Sequence, residues 1–183
     1  MLKNIIKGML YSIVLISMGF VSGYQYRKET APKYNYCSKL TSYAQKYSGP
    51  ERKEFATLAL NILMEAGGEE DNGKFAVGYV TMNRLAAGYG KTVSEVVWQE
   101  KQFSWTNKGA RGLQLVRNVT DVENFMRILE IADIVYTDDK GLYNNVKGFM
   151  HFCRKDIVKK VAWTKHYKER VIIGNHVFMK EKS

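Results

Sequence analysis

The sequence predicts an α+β domain, mainly helical, with a small C-terminal β-element and an apolar helix ahead of it. Three observations carry that class. Apolar residues recur at helical spacing between residues 55 and 136, β-favouring runs are confined to the region after Gly141, and residues 8–24 are uncharged and mostly apolar. With 45% hydrophobic residues in 183, the chain can bury a real core and is not a disordered polymer. The boundaries expected are 1–26 for a signal-anchor or transmembrane segment, 27–50 for a linker and 51–183 for the folded domain.

The N-terminal run follows Lys3 and Lys7 and is about as long as the lower limit for spanning a bilayer. Gly8, Ser12, Ser17, Gly19, Ser22 and Gly23 dilute it and weaken insertion. Val21 and Gly23 offer a small-residue cleavage pattern, without the usual A-x-A form. Cleavage, retention and release from the bilayer are the three outcomes, and a retained signal-anchor is preferred among them. Lysines before the run and Arg27 and Lys28 after it leave its orientation open. Pro32 and a tyrosine-rich polar stretch then read as linker, and Pro50 marks the start of the domain.

Phe55, Leu58, Ala59, Ile62, Leu63 and Ala66 put one apolar stripe on a helix that Gly67-Gly68 ends. Glu65 sits in its last turn. There the negative end of the helix dipole and partial burial both disfavour a carboxylate and raise its pKa. A glutamic acid that keeps its proton near neutral pH suits general-acid attack on a glycosidic oxygen; the alternative is an ordinary surface glutamate.

Asp71 or Asn72 can cap a second helix that carries Phe75, Tyr79, Met82, Leu85 and Ala86 and ends at Gly88-Tyr89-Gly90. The capping-box pattern from Thr92 to Glu95 predicts a short helix over 94–100, leading into Gln102-Phe103-Ser104-Trp105. Thr120 to Glu123 repeats the pattern and opens the most amphipathic helix, with Phe125, Ile128, Leu129, Ala132, Val135 and Tyr136 on one face. Beyond Gly141, residues 148–153 and 171–179 predict strands, with Trp163 between them either in the core or lining a sugar site.

A formal net charge of +10 favours an anionic partner, but the cations are scattered and no helix-turn-helix, zinc-finger or RNA-recognition signature is present. Nucleic acid is therefore not the partner expected. Cys37 and Cys153 either form one disulfide or stay as two free thiols. His151 and Cys153 lack the second pair that a zinc site requires, so neither metal nor cofactor is expected.

Taken together, Glu65-Ala66-Gly67-Gly68-Glu69, the run from Val77 to Asn83-Arg84, Gln102-Phe103-Ser104, His151-Phe152, Trp163 and the run from Ile173-Gly174 through His176 to Phe178 resemble the spore cortex-lytic type cell-wall hydrolases. Order and rough spacing agree from about residue 57 to 178. The resemblance implies a lysozyme-like, mainly helical domain that cuts the β-1,4 bond between N-acetylmuramic acid and N-acetylglucosamine in peptidoglycan, as a muramidase or lytic transglycosylase. It places the catalytic acid on Glu65. Around it, Gln102 and Ser104 can hydrogen-bond sugar substituents, Phe103, Trp105 and Trp163 offer ring faces, and Glu69 and His151 complete the substrate-binding set. For His151 and His176 a purely structural role is the competing reading. Gly67 stands where the family commonly carries arginine.

The partners expected are glycan strands and, through the N-terminal segment, an inner or plasma membrane, with the catalytic domain facing the periplasm or cell wall as a monomer. The architecture also resembles a phage endolysin of the signal-arrest-release kind; a bacterial wall-remodelling enzyme has the same features. The rival reading is a membrane-tethered basic module that binds wall polymer or nucleic acid without catalysis.

Overall fold

A computed structural model describes residues 36–108 and 122–180. Among them are five α-helices, namely α1 (Tyr36–Lys46), α2 (Gly49–Ala66), α3 (Asp71–Ala86), α4 (Val93–Trp98) and α5 (Val122–Thr137). Three strands follow, β1 (His151–Arg154), β2 (Glu169–Ile173) and β3 (His176–Lys180). The segment 1–26, expected as a signal-anchor, lies outside the described residues, as does Thr120. Among the described residues, no helix is long and apolar enough to cross a membrane.

The organising element is α2, which packs against α3, α4 and α5. Pro50 falls in its first turn, where a missing N–H costs nothing. The stripe read from the sequence is buried at Phe55, Leu58, Ala59, Ile62 and Ala66, and Leu60 and Asn61 join it because neighbours cover the helix on several sides. Leu58 and Ile62 are wholly buried, so truncating either to alanine costs about 2–5 kcal/mol. Asn61 is satisfied inside the core, donating through Nδ2 to Thr81 Oγ1 at 3.0 Å and accepting from Trp105 Nε1 at 2.8 Å.

Part of the expected linker is instead helix α1. Tyr36, Leu40, Tyr43 and Tyr47 recur at helical spacing, and the tyrosines that looked polar in sequence use their rings as apolar surface. Tyr47 stacks on Phe55 at 4.2 Å between ring centroids and meets Tyr136 edge-on at 5.5 Å. Its hydroxyl donates to Asp133, which also pairs with Lys46 at 2.6 Å. The folded unit thus begins before residue 51.

Two helix starts differ from expectation. The residue that caps α3 is Glu70, without a side-chain cap bond, while Asp71 lies in the first turn, where its charge suits the dipole, and pairs with Arg127 at 2.7 Å. Helix α4 runs over Val93–Trp98, with the Thr92 hydroxyl accepting from Glu95 N–H at 3.1 Å. The Glu95 carboxylate reaches back to Lys91 N–H at 2.8 Å, one residue earlier than a capping box requires.

The strands form one antiparallel sheet in the order β1-β3-β2. The run 171–179, continuous in the sequence reading, is a hairpin: Ile173 pairs with His176 and only Gly174-Asn175 turn between them. Gly174 has φ +58°, the left-handed value that suits glycine at the first turn position. One sheet face, with Phe152, Val171, Ile173 and Phe178, packs on the helical core. The other carries Cys153, Val177 and Met179 under Val158 and Tyr167. Cys153 is a buried thiol outside any disulfide among the described residues, and the side chain of Cys37 lies outside them.

Candidate active site

The end of α2 meets a loop and the edge of the sheet, and this is where the titratable groups gather. Gly67 N–H donates to Leu63 O at 3.0 Å, and Asn124 Nδ2 donates to Gly67 O at 2.9 Å. A Cβ at Gly67 would lie 2.5 Å from the Leu63 carbonyl oxygen, so a side chain at this position would need the helix end to shift.

Glu65, partly buried in the last turn, accepts from Ser104 N–H at 3.1 Å and from Ser104 Oγ at 3.4 Å. Burial is the main influence on its acidity and raises its pKa. The Ser104 hydroxyl, the backbone N–H groups of Ser104 and Trp105, and the Arg84 charge pull the other way without cancelling it. The upward direction read from the sequence is present, with burial as its leading cause.

Two aromatic residues of the 102–105 loop do something other than expected. Phe103 is 1% exposed, with its ring centroid 4.9 Å from the Arg84 guanidinium and 6.3 Å from Phe152. Trp105 is also buried and tied to Asn61. Neither has a ring face left for a sugar; both anchor the loop that holds Ser104 against Glu65. Gln102 is partly buried in the same loop.

Arg84, near the end of α3, is almost wholly buried. Its Nε donates to Met150 O at 2.6 Å, and its Nη1 is buried with no hydrogen-bond partner. Burial lowers its pKa, while Tyr89, Glu65 and Tyr167 act in the opposite sense. Beside it, Asn83 Nδ2 donates to Val146 O at 2.7 Å and to Phe149 O at 3.0 Å, which fixes the chain leading into β1.

Glu69 lies in the same cleft but is held differently. Its Oε2 accepts from Asn175 N–H at 2.9 Å, and its Oε1 lies 3.7 Å from His176 Nδ1, an ion-pair distance too long for a hydrogen bond. Room for this carboxylate comes from two glycines: a Cβ at Gly174 would sit 2.1 Å from Glu69 Oε2, and one at Gly73 would sit 2.9 Å from Glu69 Cβ. Burial acts to raise the pKa of Glu69, but the Asn175 hydrogen bonds, His176 and Lys155 outweigh it and the net direction is down. His176 is itself buried, which lowers its pKa against the pull of Glu69.

Glu65, Glu69, Arg154, Lys155, Asp156, Asn175 and His176 line a cleft of about 320 Å³. A larger hollow of about 590 Å³ is lined by Trp98, Glu100, Lys101, Thr106 and Asn107, but its charges are the exposed pair Glu100 and Lys101. It holds no buried acid or base. Among the described residues, no group of three or more His, Cys, Asp or Glu is placed to hold a metal ion.

Of the residues singled out in sequence, Glu65 and Ser104 are in contact and Glu69 shares their cleft. His151 and Trp163 lie together elsewhere, at the outer side of β1, with ring centroids 6.1 Å apart. Trp163 is 41% exposed, which decides against the core reading. Sequence reasoning missed Arg84, Lys155 and Asn175 as neighbours of the carboxylates, and treated His176 as merely structural. Arg84 and His176 did stand inside the blocks quoted for the resemblance; what was absent was any periodic signal that a charged side chain would be buried.

The chain matches the family described as Cell Wall Hydrolase over residues 68–179, more than half of its length. Neither the curated proteins nor the solved structures give a match. The matched stretch begins just after Glu65, so the geometry around that residue stands independently of the match.

Proposed function

The chain belongs to the cell wall hydrolase family, and from that premise we propose that it cuts the β-1,4 bond between N-acetylmuramic acid and N-acetylglucosamine, with Glu65 as general acid. The observation that carries this reading is Glu65 itself: a carboxyl whose pKa burial raises, at the wall of an open cleft, with donors ready for its charge once the proton has left. We read the helical body and small sheet as a lysozyme-like arrangement.

Glu65 passes its proton to the glycosidic oxygen as the C1–O4 bond breaks, leaving a hydroxyl on the N-acetylglucosamine side and positive charge at the muramyl C1. The Ser104 N–H and hydroxyl and the Arg84 charge then steady the Glu65 carboxylate. In lytic transglycosylation the muramyl C6 hydroxyl closes onto C1 and returns its proton to Glu65. That course needs one carboxylate. It is favoured because Glu69 is committed to the Gly174-Asn175 turn and to His176.

A second reading rests on the opposite acidities of Glu65 and Glu69 in one cleft, the pattern of an acid and an ionised partner in a hydrolase. Mass spectrometry of digested sacculi separates the two. Transglycosylation leaves 1,6-anhydromuramyl ends, lighter by one water than the reducing ends of hydrolysis. Sacculi that are bound but left uncut favour the non-catalytic binding module. On the preferred reading the domain works as a monomer outside the cytoplasmic membrane, delivered or tethered by residues 1–26, as a phage lysis protein or a wall-remodelling enzyme.

A further inference from the structure

An aromatic cluster outside the acid's cleft has no part in the chemistry above. Tyr167 lies 4.7 Å from His151 and 6.0 Å from Trp163 by ring centroids, and the three rings sit at the outer side of β1. Tyr167 is half-buried on the small apolar patch of Cys153, Val177 and Met179, so it is a fixed support, whereas Trp163 stands out in solvent. Thr164, inside the 3-10 turn Ala162–His166, is buried and donates to Val158 O at 2.6 Å, which pins the turn bearing Trp163. An exposed indole held on a pinned turn and backed by two further rings presents a preset, flat apolar face to a ligand.

The cluster is linked to the acid through Arg84. That guanidinium holds the carbonyl of Met150, the residue before His151, and lies within electrostatic reach of both Glu65 and Tyr167. Among the described residues β1 pairs with β3 alone and forms an edge of the sheet. One end of β1 carries His151 and the other Arg154 of the acidic cleft. The two side chains lie on opposite faces of the strand, so a ligand that crosses its edge meets both.

We propose that Trp163, Tyr167 and His151 form a saccharide platform, a subsite that stacks a pyranose ring of the glycan strand beyond the sugars at Glu65. This deepens the glycosidase reading and rests on it. The occupant is an N-acetylhexosamine: its axial C–H face covers an indole ring while hydroxyl and acetamido groups remain in water or meet the histidine and phenol. The consequence is an expected preference for strands over short fragments, because a longer strand fills the platform as well as the cleft.

The test uses the full chain carrying Glu65→Gln, so that ligand stays uncut, titrated with a tetrasaccharide of alternating N-acetylglucosamine and N-acetylmuramic acid. Trp98 and Trp105 pack on each other at 5.1 Å, so the exposed Trp163 reports binding by its emission. The emission change is expected to vanish with Trp163→Phe while calorimetry still detects binding. Trp163→Ala and Tyr167→Ala are each expected to weaken binding about tenfold with the thermal transition unchanged. The platform is overturned if the emission change persists in Trp163→Phe, or if both alanine variants bind as tightly as their parent. Glycan cleavage by the unmutated protein is scored separately. Cleavage with a silent Trp163 sinks the platform alone; an emission change without cleavage sinks the glycosidase reading and, with it, the platform's place as a subsite of that reaction.

Discussion

Glu65 and Glu69 flank the same two glycines, line the same cleft and are held in opposite ways. Glu65 is surrounded mainly by protein that cannot solvate a charge, and its pKa is raised. At Glu69 the Asn175 hydrogen bonds and the charges of His176 and Lys155 outweigh burial, and the pKa is lowered. Acidity follows the balance between burial and the groups that favour the charge. On the proposed reading one end of the cleft moves a proton, while the other fastens a hairpin.

The sharpest way to break this contrast is to exchange each acid for its amide. Glu65→Gln is expected to lower muropeptide release by about 10²–10⁴-fold, the usual worth of a general acid, with the fold intact. Its stability should move in an instructive direction. A raised pKa means that Glu65 supports folding below the ordinary carboxylate range and ceases to as pH rises through its own pKa. Glu65→Gln should therefore melt above the parent at neutral pH, with the gap closing in acid. A melting point that falls at neutral pH would make Glu65 a structural residue.

Gly174→Ala attacks the fastening end. The left-handed φ and the close approach of Glu69 should together cost about 2–4 kcal/mol in denaturant unfolding. An unchanged midpoint would mean that the turn does not bear on Glu69.

Glu69→Gln should reduce activity by less than about tenfold, well short of a lost general acid. With a lowered pKa, Glu69 contributes stability above the ordinary carboxylate range and loses it as pH falls. Its amide should thus melt below the parent at pH 7 and converge with it in acid, the mirror image of Glu65→Gln. Equal inactivity of the two amides, with both folds intact, would hand the mechanism to the two-carboxylate reading.

The smallest effect expected is that of Arg84→Met. Removing the charge that favours ionised Glu65 should move the alkaline limb of the kcat/KM profile upward by less than about one pH unit. Arg84→Lys, which keeps a charge, should move it less. A limb that stays in place in both variants would remove Arg84 from the control of the acid.

The half of this contrast made by local pattern was legible before any fold was known. The stripe from Phe55 to Ala66 and the stop at Gly67-Gly68 place Glu65 at a helix end beside a core, because helical period and glycine act over a few residues. The half made at long range was not. Asn175 reaches Glu69 from the opposite end of the folded domain, and Phe103 and Trp105 look like sugar faces until their loop is seen turned inward. Helix α1 was missed for a third reason: Tyr36, Tyr43 and Tyr47 were weighed by their hydroxyls rather than by their rings.

The space that Gly73 and Gly174 leave for one carboxylate also bears on how this chain can change over time. Three positions scattered through the sequence share a single volume, so a change at one is expected to be felt at the others. A side chain at 174 would push the flexible tip of Glu69 out of its place and strain a left-handed turn at the same time. In related chains, a residue other than glycine at 174 is therefore expected together with a shorter or differently turned side chain at 69.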